Sequence, residues 1–326
     1  MSGAVLILGA SGYIGGHIAL AAVAQGQQVR GLRRSPDSVG HLGSATVHWF
    51  QGDIDQPGSL EPALRGVRLL YHAAAYYPQD GRPVAEHVAH SVKQMRGVLA
   101  AARGAGVQRV VFTSSLSTIG RPPAGSGRLA DERDRYLPGS LPGSAYYECK
   151  YAMESEALRA CAAGQDVVVV NPTLVLGPGD IHLAVGRIIV PLARGWGLIW
   201  LPGAVNAIDV RDAAQAHLAA AQQGTAGERY ILGGQNLQVR ELENLIADRA
   251  GVRRPVLGVS ARTIRRLARL LARLPGLRLY SNHLIGLSHW QGYNTSKAES
   301  VLGLAARPLD ETIDDMLASY RSAGRL

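Results

Sequence analysis

Ala4-Val5-Leu6-Ile7-Leu8-Gly9-Ala10-Ser11-Gly12-Tyr13-Ile14-Gly15-Gly16 is the stretch on which the fold turns. Five apolar residues end abruptly at a glycine, which is too short for a helix and suits a buried strand. Glycines then recur at 9, 12 and 15, and an apolar, Ala-rich run follows that reads as a helix. A strand, a glycine turn and a helix start in that order make a cradle for a pyrophosphate. Glycine lets the backbone approach closely, and the first helical turn offers free N–H groups and partial positive charge. No carboxylate occupies that turn. Gly9, Ser11, Gly12, Tyr13, Ile14 and Gly15 are therefore candidate dinucleotide contacts.

The first 29 residues contain no Asp, Glu, Lys or Arg, which raises the question of a targeting or membrane segment. A secretory signal opens on basic residues, whereas the first one here is Arg30. The early glycines also break the run too soon for a spanning helix. A buried strand feeding a helix near an anion accounts for it better, and a cytoplasmic protein is expected.

Working outward, short apolar runs alternate with longer helical patterns. The expected strands are Ala4–Leu8, Gln28–Leu32, Thr46–Gln51, Leu69–His72, Arg109–Ser114, Asp166–Val170 and Tyr230–Leu232. Helices are expected between them, for example over Glu86–Arg103 and Ala145–Ala163. Runs such as Val167–Val170 are apolar throughout, as in strands covered on both faces. The expected fold is α/β, a Rossmann doubly wound parallel sheet with a smaller, mostly helical C-terminal substrate domain. Residues 1–172 plus about 206–234 would form the dinucleotide domain, and about 173–205 plus 235–326 the substrate domain. The Pro- and Gly-rich segment Arg121–Gly143 reads as a long functional loop.

With 326 residues, 47% of them hydrophobic, the chain can fill such a core. Its two cysteines, Cys149 and Cys161, have no ligand spacing around them, so neither a disulfide framework nor a metal site is expected. The net charge is +9, yet ten Lys/Arg and no acid lie between Asp248 and Glu299, leaving the rest near neutral. Such localisation argues against a nucleic-acid binder. It reflects one basic surface or an anionic ligand. Residues 262–274 form an amphipathic basic pattern, read as a substrate-domain helix with a solvated face; peripheral membrane contact is the alternative.

After the second strand, where an acid would bind the ribose 2′-hydroxyl of NAD, the sequence has Arg33 and Arg34. They could grip a 2′-phosphate, which favours NADP over NAD, or be ordinary loop charges. Asp53 and Ile54 follow the third strand, and Asp53 could meet an adenine amino group or be a plain turn aspartate.

Tyr146 and Lys150 lie four residues apart on the expected helix and so share a face. A phenol needs help to exchange protons near neutrality, and an ammonium one turn away is expected to lower its pKa. Thr113-Ser114-Ser115 closes the fifth strand, at the sheet edge where ligands bind. One of these hydroxyls can orient a substrate oxygen, and the others can satisfy backbone.

The glycine loop, His72-Ala73-Ala74, Thr113-Ser114-Ser115 and the Tyr146/Lys150 pair together resemble the extended short-chain dehydrogenase/reductase, or NAD-dependent epimerase/dehydratase, family. The ending Ser296-Lys297-Ala298-Glu299, Leu302-Gly303, Pro308-Leu309 resembles it too. The resemblance implies catalytic roles for Ser115, Tyr146 and Lys150, with Lys150 also on the nicotinamide ribose. Ala73, Ala74, Ala75, Pro172 and Thr173 would be further cofactor contacts, and Tyr76, Tyr77, His182 and Arg187 substrate contacts. A homodimer is compatible with it.

Asn171-Pro172-Thr173-Leu174-Val175-Leu176-Gly177-Pro178 resembles dihydroflavonol 4-reductase-like members. Gly186-Arg187-Ile188-Ile189 and Gly227–Gly234 resemble hopanoid-associated sugar epimerases instead. Reduction of a small-molecule carbonyl is the preferred expectation. A nucleotide-sugar epimerase or dehydratase with resident NAD is the alternative, and a non-catalytic NADP-sensing protein the second.

Overall fold

The computed structural model describes residues 3–38, 40–42, 47–74, 76–78, 80–141, 144–181, 183, 185–200, 202–260, 262, 263, 266, 270 and 291–326. Seven strands form one sheet: β1 (Ala4–Leu8), β2 (Val29–Arg33), β3 (His48–Gln51), β4 (Val67–His72), β5 (Arg109–Thr113), β6 (Val167–Pro172) and, later in the chain, β10 (Arg229–Leu232). Their order is β10-β6-β5-β4-β1-β2-β3, and every pairing is parallel. This is a Rossmann sheet. The order reverses between β1 and β4, so a crevice opens there above the strands' carboxyl ends. The expected strand ends differ from the observed ones by one or two residues at most.

The valine run in β6 shows why the sheet is two-sided. Val168 and Val170 belong to the core beneath helices α1 (Tyr13–Ala24) and α6 (Val210–Gln223). Val167 and Val169 belong to the opposite core, beneath α3 (Val84–Gly104) and α4 (Ala145–Ala162). The single turn α2 (Glu61–Leu64) adds Ala63 and Leu64 to that second core. Strand alternation sends successive side chains to opposite faces, so a strand covered twice must be apolar throughout. Leu6 and Leu8 likewise pack on the α3/α4 face and Val5 and Ile7 on the other.

The chain beyond β6 contains strands that periodicity did not reveal. Strands β7 (Leu174–Leu176), β9 (Ala204–Asp209) and β11 (Gln235–Gln238) form a separate three-stranded sheet, ordered β11-β9-β7. Short β8 (Ile199–Trp200) pairs with β12 (Leu257–Gly258). Around the three-stranded sheet pack α5 (Gly186–Ala193), α7 (Val239–Ala250) and α9 (Leu309–Ser322), sharing an apolar cluster of Leu174, Ile189, Leu242, Ile313 and Leu317. A short helix, α8 (Ser296–Leu302), returns to the α6 side of the large sheet through Ala298 and Leu302.

Candidate functional site

The glycine loop sits where β1 meets α1. Gly9 has φ +87°, and a Cβ there would lie 2.8 Å from the Ala74 nitrogen. A Cβ on Gly15 would lie 2.1 Å from the Gly9 carbonyl oxygen. Both positions therefore exclude a side chain for reasons internal to the protein. Gly12 differs: its Cβ would meet only the Gly9 oxygen, at 3.1 Å. It is the N-cap of α1, carries no side-chain cap, and no acid lies in the first turn. The Gly12 N–H donates to the Gly9 carbonyl at 2.8 Å, and the open approach beside it to the first turn of α1, with that turn's free N–H groups, suits a phosphate. The residues present thus fit a dinucleotide's pyrophosphate.

Ala73 and Ala74 form the facing wall, with the Ala73 N–H donating to the Leu8 carbonyl at 3.0 Å. Ser11 lies under Gly40, whose Cβ would come 2.5 Å from the Ser11 oxygen. Tyr13 donates its hydroxyl proton to the Gly177 carbonyl at 3.0 Å, and the Ile14 side chain packs against the core. At the end of β2, Arg33 lies 5.4 Å over the Trp49 ring and donates to the Pro36 carbonyl at 2.5 Å. Arg34 is exposed beside it. Asp53 accepts the Asp55 N–H at 3.0 Å and its own N–H donates to Ser59 Oγ, an ordinary turn arrangement. Ile54 packs against the α3/α4 core. Pro172 ends β6, and Thr173 donates to Asn206 Oδ1 at 2.9 Å, so its hydroxyl braces β9.

The three hydroxyls closing β5 have separate partners. Thr113 faces His217 Nε2 at 3.0 Å, and His217 Nδ1 donates to the Ala213 carbonyl at 2.7 Å. That bond fixes the tautomer, so Thr113 is the donor to Nε2. Burial pushes the imidazole down to about 4, which keeps it neutral. Ser114 donates to Glu154 Oε2 at 2.5 Å. Ser115 alone meets Tyr146, whose hydroxyl donates to Ser115 Oγ at 3.1 Å. Ser115 Oγ also caps the following turn by accepting the Ser117 N–H at 3.1 Å. With both acceptor positions used, its own proton is left to point at a ligand oxygen.

Lys150 lies one helical turn after Tyr146 and is 7% exposed. Its Nζ donates to the carbonyls of Thr113 and Ser114 at 3.2 and 3.3 Å, which binds α4 to the end of β5. Here one expectation is corrected. Burial pushes the Tyr146 phenol up to about 12, with the Ser115 hydrogen bond partly offsetting it, and Lys150 does not lower it. Lys150 is instead pushed down to about 8 by its own burial. Its charge is drawn onto the strand carbonyls, so Tyr146 is a neutral phenol in the free protein.

Of the expected substrate contacts, the Tyr77 ring lies 5.1 Å from the Tyr146 ring at an interplanar tilt of 47°, and the Arg187 charge acts on the Tyr77 phenol. Tyr76 is not brought to this group. Its hydroxyl lies 2.7 Å from His87 Nδ1 and accepts from Arg82. Ala75 and His182 lie outside the described residues, as does most of 262–274, of which Arg262, Thr263, Arg266 and Leu270 are described. Cys149 and Cys161 are free thiols on α4, and burial pushes Cys149 up to about 11. Among the described residues no His, Cys, Asp or Glu group is placed to hold a metal, and no helix is long and apolar enough to cross a membrane.

Sequence reasoning missed Glu154, one turn beyond Lys150 on the same helix face. Its carboxylate accepts from Ser114, Thr118 and Asn171 Nδ2 at 2.5, 2.6 and 2.7 Å. Arg229 of β10 completes the group, with Nε 2.8 Å from Glu154 Oε1. The signal was available: Tyr146, Lys150 and Glu154 are spaced i, i+4 and i+8, and a carboxylate on a buried helix face needs a partner.

The profile of the NAD dependent epimerase/dehydratase family matches residues 5–233. The chain is 30% identical to a Methylococcus capsulatus protein named sterol demethylase protein B, over 98% of this chain and 99% of that one. It is 28% identical to a Zea mays dihydroflavonol 4-reductase, over 76% of this chain and 74% of that one. The crystal structure of a Pseudomonas aeruginosa nucleoside-diphosphate-sugar epimerase superposes with TM-score 0.85 at 28% identity, covering all of both chains. With a parallel Rossmann sheet and a glycine cradle fitted to a dinucleotide, the chain is an NAD(P)-dependent enzyme that belongs to the NAD-dependent epimerase/dehydratase family.

Proposed function

We propose that this enzyme reduces the carbonyl of a small-molecule substrate and takes NADP in preference to NAD. The observation that carries the reading is the Tyr146 hydroxyl donating to Ser115 Oγ at 3.1 Å, with Lys150 fastened behind it to the carbonyls of Thr113 and Ser114. NADPH, when bound, would supply the hydride for the carbonyl carbon. Ser115 donates its free proton as a hydrogen bond to the carbonyl oxygen and orients it. Tyr146, neutral because burial holds its pKa near 12, transfers its proton to that oxygen as the alcohol forms. Lys150, held by the carbonyls of Thr113 and Ser114, would keep the Tyr146 helix against the Ser115 strand end and meet the nicotinamide ribose. A neutral phenol is the form a reduction needs at the start, which favours this direction.

Gly9, Ser11, Gly12 and Gly15 would hold the pyrophosphate by their backbone, and Ala73 and Ala74 would line the opposite wall. Arg33 and Arg34, at the carboxyl end of β2 with no acid beside them until Asp37, would meet the 2′-phosphate. The sheet of β7, β9 and β11, with its helices, would form the substrate lobe, and Arg187 of α5 together with Tyr77, 5.1 Å from the Tyr146 ring, would meet the substrate. The reductase named among the relatives agrees with this reading.

Epimerisation with a resident NAD is the second reading, favoured by the full-length likeness to the Pseudomonas aeruginosa epimerase. Cofactor analysis separates the two. Purified protein should carry no tightly held NAD, should bind NADPH more tightly than NADH, and should oxidise NADPH in step with carbonyl loss. Stoichiometric resident NAD, without net nicotinamide turnover, would replace reduction by epimerisation.

A further inference from the structure

Beside the Ser115 strand end lies a cavity of about 290 Å³. Its inner wall is aromatic, formed by Tyr136, Tyr147 and Tyr293, which are 6%, 8% and 3% exposed. Leu116, the residue after Ser115, also lines it, so the cavity begins one residue from the proposed oxygen-binding serine. The Tyr147 ring lies 6.1 Å from the Tyr146 ring and 5.6 Å from that of Tyr136, which makes the tyrosines one continuous surface.

Two exposed arginines, Arg121 and Arg135, also line this cavity. Their backbones are tied together. Ile119 and Arg135 form an antiparallel bridge, Tyr136 N–H donates to the Thr118 carbonyl at 3.0 Å, and Gln291 Nε2 donates to the Gly120 carbonyl at 2.8 Å. A Cβ on Gly120 would lie 2.2 Å from the Arg135 oxygen, so the two segments are in close contact. The Arg121 charge reaches both Tyr147 and Tyr293, pulling their phenols down against the larger upward effect of burial. Neither arginine forms an ion pair among the described residues. The neighbouring acids are engaged elsewhere: Asp131 and Asp134 by Arg128, and Glu148 by the Tyr136 hydroxyl and the Gly139 N–H.

We infer that this cavity binds the end of the substrate remote from its carbonyl, and that this end is a flat ring bearing an oxyanion, a carboxylate or a phosphate. A guanidinium fork matches the oxygens of either group, and two forks without carboxylate partners attract such an anion. Tyrosine faces suit a planar apolar body, and the cavity's volume lies at the small end for a ligand site, enough for a single substituted ring. The inference rests on the reductase reading for its direction, since that reading places the reacting carbonyl at Ser115 and Tyr146.

The test measures binding, without turnover or cofactor. Isothermal titration with benzoate, phenyl phosphate and the neutral isostere benzamide should show at least one anion binding about tenfold tighter than benzamide, weakening with added salt. Arg121→Met and Arg135→Met, both exposed positions checked for unchanged circular dichroism, should each remove most of that preference, whereas Tyr146→Phe should keep it. Equal binding of benzamide, anion affinity unaffected in both arginine variants, or no binding of either anion up to millimolar concentration would overturn the inference. Each result is independent of NADPH oxidation. No anion binding by the wild type while its NADPH oxidation is intact therefore overturns the pocket alone, and anion binding without NADPH oxidation overturns the hydride reading alone.

Discussion

Glu154 and Arg229 form an ion pair behind the Thr113-Ser114-Ser115 end of β5, with Arg229 Nε 2.8 Å from Glu154 Oε1 and both side chains no more than 5% exposed. The pair links α4, which carries Tyr146 and Lys150, to β10 at the sheet edge. Arg229 also donates to the Glu132 and Thr118 carbonyls at 3.0 and 2.9 Å, so the long loop after β5 is bound in as well. Removing the carboxylate leaves a buried guanidinium uncompensated and three donors without their acceptor. Glu154→Leu should therefore lose about 3–5 kcal/mol in urea unfolding. Glu154→Leu with Arg229→Met should recover a large part of it, and a double variant as unstable as the single one would argue against the pairing.

Lys150 is expected to trade stability for activity. Its buried ammonium titrates near 8 rather than at the ordinary lysine value of 10.5. Below about pH 8 both folded and unfolded chains hold the proton, and the folded state carries the whole desolvation cost. As pH rises from 8 towards 10.5 the unfolded chain binds more protons, so the native protein gains relative stability. Lys150→Met should accordingly raise the melting temperature at pH 7, by a margin that shrinks at pH 9 to 10, while NADPH oxidation collapses. A lower melting temperature across that range would show that the lysine's hydrogen bonds outweigh its desolvation.

The glycines should separate by position. Gly15→Ala drives a methyl to 2.1 Å from the Gly9 oxygen and should destabilise the fold by several kcal/mol. Gly12→Ala has only the 3.1 Å contact to the same oxygen, so its melting temperature should stay within a few degrees of wild type while dinucleotide affinity falls at least tenfold. Thermal melts paired with quenching of protein fluorescence by NADPH check both. Equal loss of stability in the two variants would remove the distinction between a packing glycine and a ligand-facing one.

Cofactor choice tests the arginines. Replacing Arg33 and Arg34 together by Ser should reduce the NADPH over NADH preference about tenfold or more, chiefly through KM. An unchanged ratio would make them solvated loop charges.

Much of the fold and part of the site are legible in the sequence. Strand β1, the parallel sheet and the Tyr146/Lys150 face follow from short apolar runs and from spacing, because a sheet buried on both faces imposes composition on every strand. The three-stranded sheet does not, since β7 has three residues and β11 reads Gln-Asn-Leu-Gln, which is polar and mostly exposed. Its order is set by contacts with β9 rather than by local pattern. The partnership of Glu154 with Arg229 joins residues far apart in the chain and leaves no local trace. The pKa of Tyr146 escapes the sequence for a related reason. Spacing places an ammonium one turn away, but it does not reveal that the carbonyls of Thr113 and Ser114 hold that ammonium or how deeply the phenol is buried.

The most direct test is the rate of NADPH oxidation with a panel of aromatic and aliphatic ketones and aldehydes, compared between wild type and Tyr146→Phe at matched cofactor saturation. Wild type should turn over at least one carbonyl. The phenylalanine variant should bind NADPH with unchanged affinity and lose at least about a hundredfold in kcat, the range expected for removing a positioned general acid. Retained kcat in Tyr146→Phe would contradict the assignment of this phenol as the proton donor.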